Sequence, residues 1–437
     1  MITSPITRPI TSQIASAIAG ARVGGASNPL VWHAATPDSD GVMQAQLIGV
    51  GSPAFTSSDM LLLDYIGEYV LVPANSPAWV GARWSGGVAY ATGESGDNLA
   101  SLPYLYVAPG RENLNTYSND LSNGAWTKAG SASAALDANG LTGAGNTATT
   151  ATDPGGSSFI YRATTIVATT YTYTARWFVK KDEDTTRFPG CFVEYGGGGG
   201  AARAWYHLNT STGELTAVAL NAGVYAAESL LRGDWWEVLI SVDNTSKTSI
   251  TQYFLPADAS VAGTRSAAAS GSAIVGNMEL YADSDIDCIR GTAPIITAGS
   301  SASLIEVNGV FDSGNMSNTL GALYFEAITQ KASPILATFI EVNGVNIALN
   351  DGSSTVTRPW VKNTPYQIGI IWDAASELMA LNVNGTWSND VAYDGTLLGG
   401  ALDVFSSPEG AGLIRNIKRY SPARYEAGRA LIDAEMP

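Results

Sequence analysis

The chain reads as an all-β protein: an N-terminal arm, a small β module and two consecutive antiparallel β-sandwich (jelly-roll) domains. Three observations predict this. Charged residues make up only 14% of the sequence and glycine contributes 47 residues, a composition suited to many short strands and tight turns. Apolar and polar residues alternate with period two in several runs, as in half-buried strands. Asn-Gly and Gly-Gly pairs sit between such runs, the strongest local hairpin signal. A hydrophobic fraction of 45%, with 11 Trp, 19 Tyr and 10 Phe, argues for packed cores and against disorder.

The bulk numbers also exclude classes. At 437 residues two to four domains are expected. A net charge of −16 repels a nucleic acid rather than steering it in, and there is no Lys/Arg-rich run to override that. The two cysteines, Cys191 and Cys288, form neither a disulfide framework nor a zinc signature. Two buried free thiols are expected, with pairing open if the two lie on neighbouring strands. No apolar run is long enough for a membrane-spanning helix, and no basic segment followed by an apolar core marks a signal peptide.

Residues 1–28 carry Ile2, Ile6, Ile10, Ile14 and Ile18 at every fourth position. Pro5 and Pro9 forbid a regular helix in the first half, whereas Ile10 to about Ala21 suits a short helix with its isoleucines on one side. Such an arm cannot bury its own stripe, so it is expected to anchor the chain to a particle or to other copies. Residues 29–110 are expected to form the small β module. Leu61 to Leu63 and Tyr69 to Val72 are short strands, and residues 81–96 form a hairpin turning at Gly86-Gly87.

Residues 111–298 should form the first large sandwich. It opens on residues 110–128, where Ser118, Asn119, Asp120, Ser122, Asn123 and Gly124 favour turns. Tyr117 and Trp126 should pin that loop to a core. In residues 171–181, Tyr171, Tyr173, Ala175, Trp177 and Val179 share one face, and Thr172, Thr174, Arg176 and Lys180 the other. Phe178 breaks the polar face and is expected to be exposed. The five glycines at 196–200 read as a turn, since no Lys-Ser/Thr or helix follows to cradle a phosphate. In residues 231–242, Trp236, Val238, Ile240 and Val242 share one face, and Trp235, Glu237, Leu239 and Ser241 the other. Asp283, Asp285 and Asp287 alternate and would share a face of an extended chain. They are the candidate ligands for Ca²⁺, although the run has neither the Gly nor the Glu that an EF-hand loop needs. No other cofactor is indicated.

Residues 299–437 should form a second sandwich. Ile305-Glu-Val-Asn-Gly-Val310 recurs from Ile340 to Val345, and a third variant runs from Leu381 to Thr386. Each Asn-Gly reads as a hairpin turn.

Two resemblances follow from these residues. Asn113, Leu114, Thr116, Tyr117, Ser118, Asp120, Ser122, Asn123, Trp126, Thr127 and Lys128, with Arg111 just before them, resemble a motif of phage virion proteins. There it opens a β-sandwich similar to a carbohydrate-binding module. Leu121 stands where that family often has Phe. The segments 366–372, 381–387 and 412–420 resemble concanavalin-like and laminin-G-like jelly rolls closed by a short acidic helix, here expected at residues 424–435.

The resemblance implies a structural virion fibre or spike subunit, in a tail fibre or head spike. It would be assembled in the host cytoplasm, most often as a homotrimer, and anchored by its N-terminal region with other virion proteins as partners. Its sandwiches would contact host-surface polysaccharide. By analogy with the family's Gly-Trp-Tyr-Arg strand, Trp236 is the core Trp and Trp235 the exposed ring on which a sugar stacks. Trp205 and Tyr206 complete the candidate glycan site. The alternative is a purely structural capsid or tail decoration protein that binds other virion proteins. A glycan depolymerase is the third reading. It needs two carboxylates at a set separation, and Asp182, Glu183, Asp184, Glu194, Asp234 and Glu237 stand in no such arrangement. His33 and His207 lie in no nucleophile motif, so no enzymatic activity is expected.

Overall fold

A computed structural model of the chain describes residues 30–436 apart from short internal stretches, the longest of them 92–102, 312–318 and 405–411. It is nearly all β, and every strand pair is antiparallel. The chain forms two compact units. The first gathers the described parts of 1–57, 74–109 and 306–437; the second gathers 58–73 and 110–305. The isoleucine arm, Cys288 and the Asp283, Asp285 and Asp287 run lie outside the described residues.

The division departs from the expected module at 29–110, whose strands are shared between the units. Leu30–Pro37 pairs with Met43–Ile48 on one side and with the closing strand Gly412–Tyr420 on the other, Ala34 standing opposite Ile417. Tyr104–Val107 pairs with the start of that same closing strand, Leu105 opposite Ile414. The physical reason is the need of buried backbone groups for partners. Without these upstream strands, one side of Gly412–Tyr420 would be a long bare edge.

The first unit is a sandwich of a ten-stranded and a seven-stranded sheet. Leu323, Phe325, Ile370, Trp372 and Leu381 from the one pack against Ile340, Val342, Ile347, Leu349 and Val356 from the other. The expected helix is present as Tyr425–Glu435 and covers the outer side of the larger sheet, where Ile432 and Met436 join Tyr324, Ile371 and Tyr420. Two of the three Asn-Gly expectations hold. Ile340–Asn343 and Asn346–Asn350 form a hairpin. Asn384 and Gly385 turn between Val383 and Thr386, both with positive φ, as a two-residue hairpin turn demands. The third fails: Asn308 and Gly309 lie inside the strand Asn308–Phe311, opposite Thr56 and Phe55. Tertiary pairing on both sides overrides the local turn preference there. Among the described residues no helix is long and apolar enough to cross a membrane.

The second unit is a sandwich of two six-stranded sheets. Its core holds Trp126, Tyr173, Trp177, Cys191, Tyr195, Trp236 and Phe254; burial pushes the Cys191 thiol up. The opening stretch is stitched to this core through buried polar groups. Asn113 accepts the Leu280 N–H and donates to the Ile295 carbonyl. Ser118 and Thr297 bond reciprocally, side chain to backbone. The Trp126 indole donates to the Tyr117 carbonyl at 2.9 Å, and Lys128 caps the carbonyls of Ser122 and Asn123. The loop is pinned as expected.

Candidate functional site

Each sheet of the second unit has an outer face, and the two differ. On the sheet built around Thr172–Lys180, Trp235–Asp243 and Gly271–Ala282, the outer residues are Arg176, Phe178, Trp235, Glu237 and Glu279. The hairpin Met60–Leu63 and Tyr69–Val72 lies over them: Leu61 and Tyr69 pack with Phe178, Trp235 and Leu141 in one apolar cluster. The Tyr69 and Phe178 rings meet edge to face at 5.7 Å. The approach is close enough to require glycine at 233, where a Cβ would lie 2.6 Å from the Gly67 carbonyl oxygen. Beneath, Arg176 bonds Glu237 at 2.6 Å and Glu279 at 3.1 Å, all three side chains fully buried. Burial alone would push the guanidinium down; the two carboxylates outweigh it and hold it above the ordinary arginine range.

This places two sequence expectations differently. Phe178 is wholly buried and Trp235 only 5% exposed, because residues 58–73, read as part of another module, cover both. Trp235 is therefore a packing residue. Trp236 is the core Trp as expected, its indole donating to the Thr210 carbonyl at 2.7 Å.

On the other sheet, four aromatic residues stand directly opposite one another on adjacent strands. Tyr161 faces Tyr253, Tyr253 faces Phe192, and Phe192 faces Trp205. Their rings stack at centroid separations of 5.3, 4.5 and 5.0 Å, with interplanar angles of 27°, 19° and 21°. Stacking across strands sets the rings upright, so the rung presents ring edges outward rather than a flat tile. Trp205 and Phe192 are buried, while Tyr161, Tyr253 and the neighbouring Phe159 keep part of their surface exposed.

The next rung along is polar: Thr251 faces Glu194, and Glu194 faces Arg203. Arg203 bonds Glu194 at 3.1 Å, both partly exposed. The Tyr253 hydroxyl donates to the other Glu194 oxygen at 3.3 Å. Burial first, and then the Glu194 charge, push that phenol up to about 12. The Arg203 Nε is buried and has no partner among the described residues.

On the opposite side of the aromatic rung, His207 bonds Asp258 through Nε2 at 2.8 Å and accepts the Gly263 N–H on Nδ1 at 3.0 Å. Both ring nitrogens are engaged and both side chains are fully buried; the pair ties a loop to the sheet. The acids noted in the sequence are dispersed as well. Asp182 and Asp184 pair with Arg187, Glu237 lies under the hairpin, and Glu183 and Asp234 are exposed.

Of the three predicted glycan residues, only Trp205 joins the rung. Tyr206 points to the inner side of the same strand and packs against the core, and Trp235 belongs to the other sheet. Sequence reasoning missed Tyr161, Tyr253 and Phe192. Each sits at an alternating position of its own strand, and only the strand order brings them into line.

No protein family profile matches the chain, and no curated protein does. Among solved structures, it is similar to the N-terminal tandem of two CBM22 domains from Paenibacillus barcinonensis Xyn10C, at 11% identity over 72% of this chain and 98% of that one, with a TM-score of 0.26. It is also similar to a candidate carbohydrate binding protein from Bacteroides ovatus, at 9% identity over 63% of this chain and 78% of that one, with a TM-score of 0.24. The fold assignment rests on the sheets described above and not on these alignments.

Proposed function

We propose that the chain is a non-enzymatic virion surface protein, a fibre or spike subunit, that contacts host-surface glycans through the aromatic rung of its second unit. The observation that carries the reading is the juxtaposition of half-exposed Tyr161 and Tyr253 with the Glu194–Arg203 pair on one sheet face. Ring edges and phenol hydroxyls offer apolar and polar contacts, and the partly exposed ion pair offers charged hydrogen-bonding groups. Saccharides need that combination, being rich in hydroxyls but carrying apolar C–H surface. The resemblance of residues 110–128 to phage virion proteins supports the particle context. The isoleucine arm, which cannot cover its apolar stripe by itself, supports anchoring and a homotrimer in which such arms would pack together.

The upright rings favour a second reading, a decoration protein that binds another virion protein. Ring edges pack against polypeptide as readily as against sugar.

Binding of the full-length protein to host cells, with and without periodate oxidation of their glycans, separates the two. The glycan reading expects binding that oxidation abolishes and that Tyr161→Ala with Tyr253→Ala weakens at least ~10-fold, about 1.4 kcal/mol. Binding indifferent to oxidation, or no binding by protein that still incorporates into particles, favours the decoration protein.

A further inference from the structure

Four arginines are buried among the described residues: Arg176, Arg187, Arg415 and Arg419. Three of them carry carboxylates. Arg176 holds Glu237 and Glu279, Arg187 holds Asp182 and Asp184, and Arg415 holds Glu326 at 2.7 Å. Arg415 also lies over the Tyr104 ring at 4.2 Å. Arg419 differs. It is 4% exposed and lies in the closing strand Gly412–Tyr420, level with Leu323 on one neighbouring strand and Trp32 on the other. Leu323 and Ile417, two residues earlier, both belong to the inter-sheet core, so Arg419 sits on the inner face of the ten-stranded sheet. Among the described residues no carboxylate, acceptor or ring engages its guanidinium, and its Nε is buried without a partner. Burial, with no charge opposing it, pushes the group down to about 10, which leaves it protonated at neutral pH.

A buried cation without a counter-charge is unfavourable by several times the worth of an ordinary contact, and this fold supplies counter-charges to its other three. We propose that Arg419 is the anchor of an anion-binding site in the first unit, taking one small oxyanion group: a carboxylate, sulfate or phosphate. The planar fork of donors matches such groups bidentately. The inference stands apart from the reading of the aromatic rung and involves none of its residues.

The test follows thermal melting of the full-length protein in chloride, sulfate, phosphate and glucuronate at equal ionic strength, comparing the native chain with Arg419→Met. Methionine keeps the volume and suits the apolar surroundings. The native protein should gain about 3–6 °C, saturably, with an oxyanion. Arg419→Met should lose that dependence and, in chloride, melt no lower than the native chain. Sulfate also stabilises proteins by general exclusion, so the readout is the difference between the two proteins. An equal oxyanion gain in Arg419→Met overturns the proposal. So does a variant that melts well below the native chain in chloride, which would mean that the arginine is already satisfied internally. A glucuronate-containing oligosaccharide that saturates at lower concentration than free glucuronate assigns the anion to an acidic glycan; equal midpoints assign it to a free ion.

Discussion

The two sheets of the second unit set nearly the same kinds of residue on their outer faces, an arginine, a glutamate and large aromatics, and meet opposite fates. On one, Arg176, Glu237, Phe178 and Trp235 are sealed under the hairpin from residues 58–73. On the other, Arg203, Glu194, Tyr161 and Tyr253 keep contact with solvent. The contrast teaches that alternation along a strand reports which residues share a face and not whether that face is covered. Cover comes from elsewhere in the chain. It turns one set of polar groups into a structural lock and leaves the other available for recognition.

The lock should break hardest. Arg176→Ala leaves the buried Glu279 without its arginine and Glu237 with Arg232 alone, and should cost about 3–5 kcal/mol of stability, read from denaturant midpoints; a loss below about 1 kcal/mol would remove the distinction between the faces. The cover itself comes next. Tyr69→Ala should cost about 3 kcal/mol, as for other buried aromatics cut to alanine, and should raise the quenching of tryptophan fluorescence by iodide as Trp235 opens to solvent. Tyr161→Ala on the open face should cost about 1 kcal/mol or less. Equal costs for the two tyrosines would show that the open face is as structural as the covered one.

The smallest effect concerns pH. The Tyr253 phenol is raised to about 12, above the unfolded value of about 10. The folded state therefore holds this proton more tightly than the unfolded state. The contribution is complete below about pH 10 and falls away as pH climbs towards 12. Replacing Tyr253 with Phe should flatten that part of the stability decline between about pH 10 and 12 relative to the native chain. An unchanged slope would mean that the phenol does not titrate as its burial beside Glu194 requires.

Much of the fold was legible because it is written locally. Strands announced themselves through alternation, the Asn384-Gly385 turn through its dipeptide, and Trp236 through the face it shares with Val238 and Ile240 along its strand. The Asn308-Gly309 pair misled because two neighbouring strands, Ala54–Thr56 and Leu402–Val404, hold it extended. Trp235 and Phe178 misled for a non-local reason as well: their cover lies more than a hundred residues upstream. The aromatic rung was invisible for the same cause, since Tyr161 and Tyr253 join the Phe192–Trp205 pair only when strands far apart in sequence line up.

The closing strand Gly412–Tyr420 has a consequence for how the protein is made. Leu30–Pro37 can pair at once with Met43–Ile48, yet its other partner, Gly412–Tyr420, is made more than 370 residues later. The second unit, complete by residue 305, can fold while the first is still in two pieces. Closure of the first unit is thus late: strands made before residue 58 are captured by one made after residue 411. A ribosome stalled shortly before residue 412 would release a finished second sandwich carrying an unclosed first one, its unpaired edges open to the same strands of other chains.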